Sequence, residues 1–211
     1  MAPAASYADV GDRSLSFEDE TAARDFLSSY SVTRPVQNRL IAKMRKGEVL
    51  DSDRGSVAPV SQRTIAAPDD LVQVNTYSDG SIAVLTTSDL EAAKARAATE
   101  VGTRGVSACI YSSGGAYASY WRNCVGKSTT VTLTLAFRFN YSNTRDIGSR
   151  IDSWCCEEHS ARGGTFSGSI SRLHPRVVRY SGTMNYYADV GSATRWMQVI
   201  VEGNAARTEM K

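Results

Sequence analysis

The sequence predicts a mainly β protein: an antiparallel β-sandwich of about seven strands, behind a short two-helix segment and a β-hairpin. Three observations predict it. From residue 105 onward, apolar and polar residues alternate with a period of two, as in strands with one buried and one wet face. Before residue 50, apolar residues recur instead at i, i+3, i+4 and i+7, the spacing of a helix face. Between the two, Asp79-Gly80 is a turn pair flanked by β-prone residues. The chain thus divides into an N-terminal arm (1–15), a helical pair with hairpin and linker (16–100), and the sandwich (105–203).

Residues 1–15 mix small and polar residues with isolated Tyr7, Val10 and Leu15, which predicts an extended, flexible arm. Its start, Met1-Ala2-Pro3-Ala4-Ala5-Ser6, has the small residues found near a signal cleavage site, behind an added Met. Ser16 then stands where a helix N-cap belongs, and Glu18, Asp19 and Glu20 suit the first turn. Ala23, Phe26, Leu27 and Tyr30 make one apolar face. A second helix opens with Pro35 at its first position, places Val36, Leu40, Ile41 and Met44 on one face, and stops at Gly47. Helices this short cannot hide their apolar faces alone, so they pack on each other and on something else.

Residues 48–70 carry Gly55, Pro59 and Pro68 and read as irregular connection. A two-residue turn at Asp79-Gly80 pairs Val74 with Leu85 and Thr76 with Ala83 on one face, and Tyr77 with Ile82 on the other. Asp89 to Glu100, alanine-rich and charged, reads as a helical linker. Strands are predicted near 106–111, 117–125, 129–141, 147–156, 165–172, 177–190 and 194–202. The clearest runs Val131, Leu133, Leu135, Phe137, Phe139, Tyr141. Another sets Val178, Tyr180, Met184, Tyr186, Ala188 and Val190 on one face.

The formal net charge is +2 and the basic residues are scattered, whereas nucleic-acid binders concentrate them on one face, so nucleic acid is not an expected partner. No stretch of about 18–20 apolar residues predicts a membrane span. The four cysteines, Cys109, Cys124, Cys155 and Cys156, contain no C-x-x-C pair and fit structural disulfides in an oxidising, extracellular compartment. Four cysteines allow three connectivities. A tight turn at Gly114-Gly115 would set Cys109 opposite Tyr120; Cys109 and Cys124 meet only across a longer loop, centred near Ala116-Tyr117, or through a bulge. That pairing is favoured. Cys155 and Cys156 point to opposite faces in a regular strand, so a bridge between them requires the strand to have ended. Crossed pairing to Cys109 and Cys124 is the alternative.

No catalytic pattern emerges. His159 and His174 read as surface loop residues, the serines lack a G-x-S-x-G context, and no phosphate or dinucleotide glycine pattern is present. Cys155-Cys156-Glu157-Glu158-His159 holds metal-ligand types without the spacing that lets them converge, and oxidised cysteines leave no thiolate. The carboxylate pairs in Glu18-Asp19-Glu20, Asp69-Asp70 and Glu157-Glu158 read as solvated or capping charges. No enzyme, cofactor or metal is expected. Tyr111, Tyr117, Tyr120 and Trp121, with Tyr186, Tyr187 and Trp196, could form a binding face for a carbohydrate or protein, although half of them belong in a core.

The pattern Asp25-Phe26-Leu27, Tyr30-Ser31-Val32, Val36-Gln37, Leu40-Ile41-Ala42-Lys43, Gly47-Glu48 and Asp51-Ser52, followed by Asp79 to Val84, resembles small secreted actinobacterial proteins. Cys109-Ile110-Tyr111 and Tyr120-Trp121-Arg122-Asn123-Cys124 stand where their cysteine-containing β domain begins. Within that group the arrangement looks like the adaptor subunits of umbrella-shaped toxin particles secreted by Streptomyces. The resemblance implies a bridge between lectin-bearing subunits and a large toxin-carrying polypeptide, in which Tyr7, Val10, Leu15 and Phe17 of the arm anchor in a partner's cleft. The doubled Cys155-Cys156 belongs to no such pattern. A free-standing binding module or inhibitor of a protease or glycan, and a hydrolase using His159, His174 or an acidic pair, are the competing classes.

Overall fold

The computed structural model describes residues 15–99, 109–187 and 191–211. Ser16 caps the first helix, α1 (Phe17–Ser29): its hydroxyl accepts the Asp19 amide at 3.0 Å, with Glu18, Asp19 and Glu20 in the first turn. The second, α2 (Arg34–Arg45), starts one residue before Pro35 and ends where Gly47 takes φ 72°. Ala23 and Leu27 of α1, with Leu40 and Ile41 of α2, are buried together with Leu50, Val74, Ile82, Val84 and Val131. The cover these helices need is therefore this chain's own sheet.

Eleven strands follow one another among the described residues: β1 (Ser61–Ala66), β2 (Asp70–Thr76), β3 (Ile82–Ser88), β4 (Ile110–Ser113), β5 (Ala118–Thr130), β6 (Leu133–Thr144), β7 (Gly148–Ala161), β8 (Gly164–His174), β9 (Val177–Tyr186), β10 (Ser192–Glu202) and β11 (Ala205–Met210). A large sheet runs β1-β2-β3-β5-β6-β7, with β4 on the first half of β5; a small one runs β11-β10-β9-β8. All pairs are antiparallel, and the sheets face each other over Trp121, Leu135, Phe137, Phe139, Val178, Tyr180, Met184 and Val199. This is the expected sandwich behind a helical segment.

Within the described residues, outside which 106–108 and 188–190 of the predicted strands lie, the seven predicted strands correspond to β4–β10. β1 lies in the stretch read as irregular, and β11 lies beyond residue 203. The hairpin also continues into the sandwich, because β3 pairs β5 from Ala83↔Thr130 to Thr87↔Gly126. The expected linker is helix α3 (Leu90–Thr99). The Asp89 carboxylate caps it by accepting the Glu91 and Ala92 amides, both at 3.0 Å, and Leu90 and Ala93 reach into the sandwich core.

The hairpin register differs by one residue from the predicted one. The Tyr77 amide donates to the Ser81 carbonyl at 2.9 Å around a three-residue loop in which Gly80 takes φ 88°, so Val74 faces Val84 and Thr76 faces Ile82. Asp79 explains the longer loop. Its carboxylate accepts Lys43 Nζ at 3.0 Å, the Asp51 amide at 3.1 Å and the Ser81 amide at 2.9 Å, and Gly80 packs on Val36 of α2. Burial pushes the Asp79 carboxyl up, but hydrogen bonds from Ser81, Asp51 and Lys43 outweigh it and hold the group below its ordinary range. A depressed folded pKa means stability that is present above the unfolded value and lost as pH falls through the folded one. Asp79→Asn should therefore flatten the acid side of the stability profile, read by urea melts below about pH 5. An unchanged acid limb would contradict this role.

The Cys109–Cys124 disulfide forms, through both devices that sequence allowed. The β4–β5 loop is centred on Ala116, which sets Cys109 level with Asn123. A bulge then places Asn123 at φ 60° and swings Cys124 alongside, with 4.2 Å between the two Cα atoms. Cys155 and Cys156 bond to each other, and here the expectation of a strand end is corrected. β7 runs on through a bulge in which Cys156 takes φ 58°.

Candidate functional site

Four strands cannot cover seven. The small sheet stacks with β11 over β3 and β5, so the same face of β1 and β2 continues past its edge uncovered. The cross-strand rows on that face are Gln62–Asn75–Ala83 and Thr64–Gln73–Leu85, followed by Leu71–Thr87. Val72, Val74 and Arg63 lie on the opposite face, toward the helices. The result is a groove between β11 and this polar floor, with a cavity of about 380 Å³ that adjoins a second of about 150 Å³. Gln73, Leu85, Arg207 and Thr208 line both.

Among the described residues no strand pairs with the free side of β11. Trp196 and Lys211 exchange two backbone hydrogen bonds, at 3.1 and 2.9 Å. Antiparallel partners alternate between bonded and non-bonded pairs, so the register makes Gln198–Glu209, Ile200–Arg207 and Glu202–Ala205 the bonded ones. Ala206, Thr208 and Met210 accordingly turn their N–H and C=O groups away from β10, toward the groove. Their side chains hold the strand down. Thr208 Oγ1 lies 2.6 Å from Thr87 Oγ1 and donates to the Thr86 carbonyl at 3.1 Å, while Met210 Sδ accepts the Ser128 hydroxyl at 3.1 Å.

Charge at the rim is mainly positive. Arg207 is shared between Glu209 at 3.1 Å and Glu202 at 4.0 Å, whereas Arg54 and Lys211 have no carboxylate partner among the described residues. Behind the Ser52–Arg54 wall lies a buried ion pair. Asp53 Oδ1 is 3.2 Å from Arg195 Nη2 and accepts the Thr130 hydroxyl at 2.7 Å, and Arg195 also donates to the Tyr186 hydroxyl at 3.1 Å. Burial, then the Asp53 charge, raises the pKa of Tyr77 on the groove wall and of Tyr186.

The residues singled out from sequence lie elsewhere. Tyr7 and Val10 fall outside the described residues. Leu15 packs against the helical core, and Phe17 is 85% exposed. His159 stands on β7 rather than in a loop, with Nδ1 3.0 Å from the Tyr180 hydroxyl and its ring against Phe166. His174 ends β8 and accepts the Arg176 amide at 3.3 Å. Glu20 pairs with Arg24 and Arg45, Asp69 pairs with Arg96, and Glu157 and Glu158 are exposed on β7. Among the described residues no three His, Cys, Asp or Glu side chains converge as a metal ion would require. The first aromatic group is split: Trp121 is fully buried, Tyr111 leans on it, and Tyr117 stands in solvent.

Sequence reading missed both the β11 edge and the Asp53–Arg195 pair. A signal for β11 did exist, because Ala206, Thr208 and Met210 alternate with Arg207, Glu209 and Lys211. No protein family, curated protein or solved structure matches this chain.

Proposed function

We propose that this protein is a non-catalytic adaptor that takes up an extended segment of a protein partner as a fifth strand of its small sheet, beside β11. The observation that carries this reading is the outward main chain of Ala206, Thr208 and Met210 above an uncovered sheet face. Strand addition supplies main-chain hydrogen bonds, and alternate side chains of the added strand meet the floor. Arg54 and Lys211 at the rim favour an acidic segment. The resemblance of residues 25–124 to secreted actinobacterial adaptors supports a finer form: a secreted bridge between a lectin-bearing subunit and a large toxin polypeptide.

The test is affinity purification of the tagged full-length chain from its native culture medium, as wild type and as Ala206→Pro. Proline removes the outward N–H of an edge strand without touching a bond to β10. Large secreted partners should co-purify stoichiometrically with the wild type and be lost from the variant, with the thermal melt unchanged. Equal recovery on both proteins would sink the groove as the docking site. Recovery of a lone monomer from wild type would sink the adaptor reading itself.

A further inference from the structure

The Cys155–Cys156 bridge lies on β7, the opposite edge of the large sheet from β1, and the groove makes no use of it. Adjacent side chains in a regular strand point to opposite faces, so two neighbouring sulfurs do not normally meet. Here they do, because Ala136↔Glu158 and Arg138↔Cys155 are two residues apart on β6 and three on β7. The extra residue is accommodated by Cys156 at φ 58°, a left-handed conformation that disfavours a residue with a Cβ. The bridge and the bulge therefore hold each other in place.

Access separates the two disulfides of the molecule. Cys109 and Cys124 are 4% and 0% exposed, inside the sandwich core with Trp121 and Phe139. Cys155 and Cys156 are both exposed, on an edge strand. Thiol–disulfide exchange needs a thiolate to reach a sulfur, so an external reductant meets one bridge in the folded protein and not the other.

We propose that Cys155–Cys156 is a reversible redox site for dithiol reductants, opened and closed in the native fold while Cys109–Cys124 stays shut. A thiolate of the dithiol attacks one of the two sulfurs and breaks the S–S bond, leaving a mixed disulfide and one cysteine thiolate, which takes up a proton. The second thiol of the reductant, losing its proton, closes on the mixed disulfide and releases the other cysteine, which is protonated in turn. Two electrons and two protons thus pass from the dithiol, which becomes a disulfide, to Cys155 and Cys156. Opening frees Cys156 to leave the left-handed region, so the oxidised and reduced forms differ in the main chain of β7. The site is independent of the groove.

The experiment uses the intact wild-type protein under non-denaturing conditions. It is titrated with dithiothreitol, quenched with iodoacetamide, and read by intact mass and by the tryptic peptide between Arg150 and Arg162 that contains both residues. Two carbamidomethyl groups should appear on that peptide at a dithiothreitol concentration at least about tenfold below the one that labels Cys109 and Cys124. Oxidised dithiothreitol should then erase the reactivity, and amide exchange around Cys156 should quicken in the reduced form. Labelling of all four cysteines together, or only once the protein unfolds, overturns the proposal. Labelling of Cys155 and Cys156 with no reductant added also overturns it, since the pair would then be resting thiols.

Discussion

Asp53→Ala should be among the most damaging single substitutions in this protein, lowering stability by about 3–5 kcal/mol, because it leaves a buried guanidinium without its counter-charge. Arg195 is 3% exposed, and its other polar partner here is the Tyr186 hydroxyl. The pair is also an architectural joint. Asp53 ends the short 3-10 turn Asp51–Asp53, Thr130 ends β5 and Arg195 lies on β10, so one carboxylate ties the groove wall to both sheets. Replacing both partners is a different experiment from removing one. Asp53→Leu with Arg195→Met should recover most of the loss, since no unpaired charge remains and apolar substitutes fill the space. Urea unfolding of the wild type, Asp53→Ala, Asp53→Leu, Arg195→Met and the double variant measures this directly. A loss below about 1 kcal/mol for Asp53→Ala would mean that water reaches the pair, as for exposed bridges.

The sequence made local features legible and left non-local ones hidden. Ser16 and Gly47 mark helix ends through contacts within a few residues, so α1 and α2 could be placed closely. The alternation through Phe137, Phe139 and Tyr141 shows because one face of β6 meets a full apolar layer. β1 gives no such signal. One of its faces lies over the groove and the other beside the helices, so Ser61-Gln62-Arg63-Thr64 is polar throughout. The bulge at Asn123 shows only through what a Cys109–Cys124 bridge demands, and the one at Cys156 is silent, because a left-handed cysteine leaves no compositional mark. The groove depends on strand order in two sheets, and the Asp53–Arg195 pair on elements distant in the chain. Neither can be read from any window of residues.

Trp121 shows what that non-local order does to an aromatic that the sequence groups with candidate ligand contacts. Its indole stacks on Tyr141 with ring centres 4.8 Å apart, meets Tyr111 edge-on at 5.3 Å, and donates Nε1–H to the Leu90 carbonyl at 3.1 Å. It therefore joins α3, β5 and β6 just before the bulge that turns Cys124 toward Cys109. Trp121→Ala should cost about 3–5 kcal/mol, through lost contacts, a residual cavity and the lost hydrogen bond to the Leu90 carbonyl. Trp121→Phe separates these causes. It keeps much of the ring packing but not the donor, and should cost about 1–3 kcal/mol. Tyr117 is the control: at 65% exposure, Tyr117→Ala should move the urea midpoint little. If Trp121→Ala left the midpoint in place while Tyr117→Ala shifted it, this aromatic group would have to be turned inside out relative to the core described above.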